Sequence, residues 1–262
     1  MPAAIPHLVN FQGVLARLQS ASPNTTLQQA NCSLHNFHSQ FKEDQRLMMA
    51  LLLAAYKRGT GTAGTFVELG AHDGIRISNT LVFERCFGWR GLLVEANPSN
   101  FEKLLRSRRS AMMQHAAVCA AGTGYVNITS MPGTVSGSAT SATLKHYRKF
   151  IPLRNVTPVP CHRLDHLMSK ADLPANTTFL SLDVEGAELE VLSSIDPSRF
   201  AFDLVLVELD GHNRAKDLAA TRLLVQSGLR EVTHFKLWTS KVFVRPDIFP
   251  DDAQVRRTIH GT

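Results

Sequence analysis

The chain has 262 residues, 44% hydrophobic and 19% charged, with a formal net charge of +6 and a pI near 9.4. That length and balance fit a soluble globular protein of one large α/β domain or two small ones, with enough chain to bury a substantial core. The mild basicity favours an acidic partner or substrate, and it argues against nucleic acid because the densest basic run, 106–109 (RSRR), is short and reads as a solvated helix end.

Residues 1–40 lack sustained periodicity and form an irregular or partly helical extension. A helix is expected at 41–58, so that 1–60 forms an N-terminal helical extension. Its apolar centre, LMMALLLAAY at 47–56, is too short to cross a bilayer and is not an ordinary signal peptide. The breaker GTGTAG at 59–64 follows. Strands and helices then alternate: strand 65–69, helix 78–86, strand 92–95, helix 98–107 opened by Pro98, and strand 112–118.

The rhythm breaks at 122–160, rich in Gly, Ser and Thr, with candidate strands at 125–129 and 156–160. This reads as an insertion or lid within a domain spanning 61–262. Alternation resumes with helix 163–170, strand 179–183, helix 187–194, strand 204–209 and helix 214–227. A hairpin-like pair at 229–237 and 241–245 closes the chain. Strands spaced by helices predict a mostly parallel sheet with helices on both faces.

Cys32, Cys86, Cys119 and Cys161 show no metal-ligand spacing. The last three adjoin apolar residues and are expected reduced, in or near the core. Asn-x-Ser/Thr occurs at Asn24, Asn31, Asn127, Asn155 and Asn176. A cytoplasmic protein is the first expectation. The alternative is a secretory-pathway enzyme whose N-terminal anchor lies outside this sequence.

Ligands of such sheets bind at the carboxyl ends of the strands. Here those ends carry acids: Glu68, then Gly70 and Gly74; Glu95, then Asn97; Asp183 and Glu185; Glu208 and Asp210, with His212 beyond. The third strand runs instead into Ala117–Val118. Glu95 lies 21 residues after Gly74, where a nucleotide-binding unit presents an acid to ribose hydroxyls. The first turn reads E-x-G-x-x-x-G rather than G-x-G-x-x-G. Its acids Glu68 and Asp73 would repel a pyrophosphate and suit a cation. That favours S-adenosylmethionine over NAD.

FVELGAHDGIRISNTLVFERCFGWRGLLVEANP and SLDVEGAELEVL together resemble the FkbM-type S-adenosylmethionine-dependent methyltransferases, over roughly 64–210. Ala96 stands where many members have proline. The resemblance implies the class I methyltransferase (Rossmann-like) fold, a seven-stranded sheet with its last strand antiparallel. It also implies methyl transfer, often to an oxygen of a sugar or natural product. Carried over, it places Glu68, Gly70, Ala71 and Gly74 around the methionine part, Glu95 on the ribose, and Asn97 with Ala117 or Val118 at the adenine. Asp183 would sit near the sulfonium, and Asp73 would contact the cofactor or cap the next helix.

Two mechanisms fit these residues. In one, Asp183, Glu185 or His212 is a general base for the acceptor hydroxyl. In the other, Asp183, Glu208 and Asp210, with or without His212, hold magnesium, manganese or calcium. The bland account of Asp183 and Glu185 is helix capping. His72 in the turn reads equally as a substrate contact or a solvated loop residue. Ser136, Ser138, Thr140 and Tyr147, with Lys145, Arg148 and Lys149, are lid candidates for an acceptor, a sugar or other small molecule, acidic if the basic trio meets it. The rival from another class is a non-catalytic methyltransferase-fold module of the secretory pathway.

Overall fold

The computed structural model describes residues 16, 18–20, 22–122, 124–130, 136–138, 154–233 and 237–251. Five apolar strands set the frame: β1 (Thr65–Leu69), β2 (Arg90–Glu95), β3 (Met112–His115), β8 (Asn176–Leu182) and β9 (Ala201–Glu208). Two short strands, β10 (Arg230–Glu231) and β11 (Ser240–Val244), complete a seven-stranded sheet of order β10-β11-β9-β8-β1-β2-β3. β11 runs antiparallel to both of its neighbours, and every other pairing is parallel. The strand order reverses between β1 and β8. Their ends are in register with β2: Leu69 pairs with both Leu182 and Val94.

Side chains alternate across the sheet, so both faces are apolar and both need cover. Phe66, Phe179 and Leu204, paired neighbours in register, face a core shared with Leu47, Leu51, Phe83 and Trp89. This face is covered by α2 (Glu43–Lys57) and α3 (Leu81–Phe87). Val67, Leu180 and Val205 face the opposite core, with Leu164, Val191 and Leu224. Those three come from α5 (Leu164–Lys170), α6 (Glu188–Leu192) and α7 (Arg214–Gln226). α4 (Pro98–Arg106) starts at Pro98, and the Asn97 side chain accepts from the amides of Ser99 and Asn100.

The strand expected over 112–118 is two strands. Ala116 separates β3, which pairs with β2, from β4 (Ala117–Val118), which pairs with β7 (Arg154–His162). β4, β7, β5 (Tyr125–Ser130) and β6 (Ser136–Ser138) make a second sheet, the last three built largely from the region read as an insertion. Ser136 and Ser138 thus lie on β6. The lid candidates Thr140, Lys145, Tyr147, Arg148 and Lys149 fall outside the described residues.

The cysteines are not reduced. Cys32 in α1 (Leu27–Leu34) is bonded to Cys86 in α3, with Cα atoms 5.5 Å apart. Cys119 is bonded to Cys161 in β7, at 5.9 Å. Apolar neighbours signalled burial, but which thiols meet is decided by tertiary packing that local sequence does not encode. The first bond ties α1 to α3.

In the run 106–109, Arg106 and Arg108 are exposed as expected, but Arg109 is not. Arg109 is buried, and its guanidinium donates to Glu84 (2.7 Å), the Gly74 carbonyl (2.7 Å), Ser78 (3.1 Å) and Thr80 (2.9 Å). A buried charge needs such complete pairing.

Candidate active site

The β1 turn is built by its own hydrogen bonds. The amides of Gly70 and Ala71 both donate to the Val94 carbonyl. Gly70 has φ of 79°, open to glycine at little cost. Asp73 accepts from the amides of Ile75 (3.0 Å) and Arg76 (2.7 Å), so it caps the turn. Gly74 packs on α4, where a β-carbon would lie 2.4 Å from Leu104.

Glu68 is committed inward. Its carboxylate accepts from Ser78 (2.9 Å), Thr80 (2.6 Å) and the Asn79 amide (2.7 Å), with Arg109 at 4.0 Å. Burial raises its pKa, opposed by Arg109 and these donors.

A cleft opens at the carboxyl ends of β1, β2 and β8, at the reversal in strand order. Gly70, His72, Glu95, Ala96, Asn100, Asp183 and Glu185 line it. Ala117, Val118, Val126 and Ile128 from the second sheet form an apolar wall. An adjoining pocket shares Gln40, Leu69, Gly70, Ile77 and Asp183, and adds Glu68, Asn79, Glu208 and Thr239.

Within the cleft, the Glu95 carboxylate accepts from the backbone amides of His72 (2.7 Å) and Asn97 (2.7 Å), one on each oxygen. The Ala96 backbone also favours the charged form, and the carboxylate's acceptor positions are not exhausted by these donors. Burial pushes Glu95 up to about 7. Beyond β8, Asp183 hydrogen-bonds Glu208, and burial first, then the Glu208 and Glu185 charges, raises it far above the carboxylate range. Glu185 sits in a left-handed turn with φ of 55° and is raised to about 8 by burial and by Glu208. Glu188 is raised to about 7 by burial while its side chain accepts from the Gly186 amide (3.0 Å). Thr239 donates to Glu208 (2.7 Å).

The structure therefore gathers Gly70, Glu95, Ala117, Val118, Asp183 and Glu185 at one cleft, with Glu68 and Glu208 in its extension. Ala71, Asp73, Gly74 and Asn97 do not line it; they build the turn or cap α4. Asp210 and His212 also do not line it. Their side chains pair with each other, Nδ1 to Oδ2 at 2.6 Å. The divalent-cation expectation on Asp183, Glu208 and Asp210 is not met. Among the described residues no three His, Cys, Asp or Glu side chains are grouped to hold a metal, because Asp183 and Glu208 are turned on each other and Asp210 on His212.

Gln40, Ile77, Asn100 and Val126 were not foreseen. They come from elements far apart in sequence. His72 is a buried cleft residue rather than a solvated loop one, and burial lowers its imidazole.

A seven-stranded sheet with antiparallel β11, open at the β1–β8 reversal, is the class I methyltransferase fold. The chain belongs to the methyltransferase FkbM domain family, whose model matches residues 68–235. No curated protein matches the sequence. Among solved structures, the chain is similar to a putative methyltransferase from Thermobifida fusca YX (8% identity, 92% of this chain and 99% of that one, TM-score 0.37). It is similar also to the SAH-bound Podospora anserina methyltransferase PaMTH1 (9%, 94% and 99%, 0.36). Precorrin-6y C5,15-methyltransferase from Geobacter metallireducens GS-15 aligns at 13% identity (70% and 79%, 0.33).

Proposed function

We propose that the chain is an S-adenosylmethionine-dependent O-methyltransferase acting on a hydroxyl of a sugar or similar small molecule. The observation that carries this is the common cleft shared by Glu95 and Asp183. Glu95 faces the cleft, where a ribose hydroxyl can donate to its carboxylate, and the acids around Asp183 suit a positively charged sulfur. Bound there, the cofactor supplies an electrophilic methyl group. Ala117 and Val118, on the apolar wall of the cleft, would hold its adenine.

The chain's part in the chemistry is proton handling. Asp183, ionised once a cation shares its cleft, accepts the proton of the acceptor hydroxyl, and hydrogen-bonded Glu208 shares it. Glu185, on the same cleft and raised to about 8, likewise ionises when a cation shares the cleft. His212 is paired with Asp210 outside the lining and takes no part.

We place the protein in an oxidising compartment such as the secretory lumen. All four cysteines are paired. Asn24, Asn31, Asn127 and Asn176 of the Asn-x-Ser/Thr sites are exposed. No helix among the described residues is long and apolar enough to cross a membrane.

Calorimetry with S-adenosylhomocysteine tests the central claim. The wild-type chain binds, and Glu95→Ala weakens binding by about thirtyfold, the worth of about 2 kcal/mol of charge-assisted hydrogen bonding. If neither the methylated nor the demethylated cofactor binds, the protein is a non-catalytic module with this fold.

A further inference from the structure

Beyond the acid pocket lies an open recess. Gln40, Phe41 and Thr239 line both, and Lys42, Arg46 and Trp238 complete the recess. Phe41 and Lys42 belong to the turn before α2. That turn is held by acids: Glu43 accepts from the Phe41 amide (2.8 Å), and Asp44 from the amides of His38 (2.7 Å) and Ser39 (3.1 Å). An isolated bridge from Ser39 to Ile77 fastens it to the β1 turn.

Trp238 is 78% exposed, the highest value for a large apolar side chain among the described residues. Its backbone is left-handed, with φ of 49°, which bulky residues avoid. Yet its neighbours are fixed: Leu237 is buried, and Thr239 is bonded to Glu208. The indole stacks on Phe41, with centroids 5.3 Å apart and planes 13° from parallel. One face is thus held by Phe41 and the other is open to solvent. An exposed indole on an unfavoured backbone at the mouth of an acid pocket marks a ligand contact.

We propose that the Trp238–Phe41 stack is the acceptor platform, and that the acceptor is a hexopyranose. This rests on the methyl-transfer reading of the adjoining acids. A pyranose carries an apolar face of polarised C–H bonds, which suits the negative π face of an indole. Its rim carries hydroxyls. With the ring on Trp238, one hydroxyl reaches toward Asp183 and Glu208, and others meet Gln40 and Lys42 at the recess edge. The stack fixes the sugar's plane, so it governs which sugar binds rather than how fast the methyl group moves.

The chain contains two tryptophans, and Trp89 is 1% exposed, with its ring N–H bonded to the Thr62 carbonyl (2.7 Å). Emission changes on adding a sugar therefore report Trp238. The full chain is titrated with the methyl glycosides of glucose, galactose, mannose and N-acetylglucosamine, to about 50 mM, which saturates a millimolar site. At least one gives a saturable shift. In transfer assays with that glycoside, Trp238→Ala raises KM about tenfold while kcat stays within about twofold, and Trp238→Phe keeps most of the affinity. Flat emission with all four, or an unchanged KM in Trp238→Ala, overturns the platform. Binding of S-adenosylhomocysteine, measured on the same variant, is unaffected and separates this failure from failure of the methyl-transfer reading.

Discussion

A β-carbon on Gly70 would stand 1.9 Å from the carbonyl oxygen of Asp183. The two strand ends that bracket the reversal in strand order thus touch backbone to backbone. The glycine is required by the fold itself, before any ligand arrives. Gly70→Ala forces β1 and β8 apart and places a side chain at positive φ. It is expected to cost about 2–4 kcal/mol, read in denaturant unfolding. A change within about 0.5 kcal/mol would mean the turn relaxes freely.

Asp183, Glu185, Glu188 and Glu95 are all raised by burial, the last three to about 8, 7 and 7. The folded chain then holds more protons than the unfolded chain from about pH 4 to 8. Linkage gives the sign: stability is greatest below that window and falls as pH rises through it. Lowered His72 acts in the opposite sense, and lowered Asp73, Asp165 and Asp196 do so at the acid end of the range. Thermal scans of the ligand-free protein should show Tm dropping between about pH 5 and 8, with a shallower drop in Glu208→Gln. A Tm that climbs across this range contradicts the acid cluster.

Asp183→Asn keeps the shape and removes the base. Transfer is expected to slow by about a hundred- to ten-thousandfold, with S-adenosylhomocysteine still bound. Single-turnover rates with labelled cofactor measure this. A variant within about tenfold of wild type would move the proton-accepting role elsewhere.

The frame of the sheet was legible because it is local. Apolar runs ending in acids gave β1, β2, β8 and β9 to within a few residues, and Pro98 marked the start of α4. Glu95 was legible from its distance to the glycine turn. What sequence could not separate was an acid that serves a ligand from one that serves the chain. Asp73 and Asn97 cap local amides, and Glu68 answers Ser78 and Thr80, with the same residue types a cofactor would need. Arg109 looked solvated because its partners, Glu84 and Gly74, lie 25 and 35 residues away. Two strands of the second sheet, at 125–129 and 156–160, were legible, and the break at Ala116, where the chain leaves β2 for β7, was not.

The disulfides should each contribute about 3–4 kcal/mol by closing loops of 54 and 42 residues in the unfolded chain. Unfolding with and without reductant, beside Cys32→Ser and Cys119→Ser, apportions the two. Non-reducing peptide mapping that finds free thiols at all four positions would refute the pairing.

Arg109→Met strands the buried carboxylates of Glu84 and Glu68 without their cation. A loss of about 3–5 kcal/mol is expected. Adding Glu84→Gln should recover part of it, since one uncompensated charge is then gone; this double variant is read in the same unfolding experiment.

The family match begins at residue 68, yet Gln40 and Phe41, upstream of it, wall the acid pocket. A fragment trimmed to the matched span would lose Gln40 from both hollows, Phe41 from the acid pocket, and the Cys32 half of a disulfide.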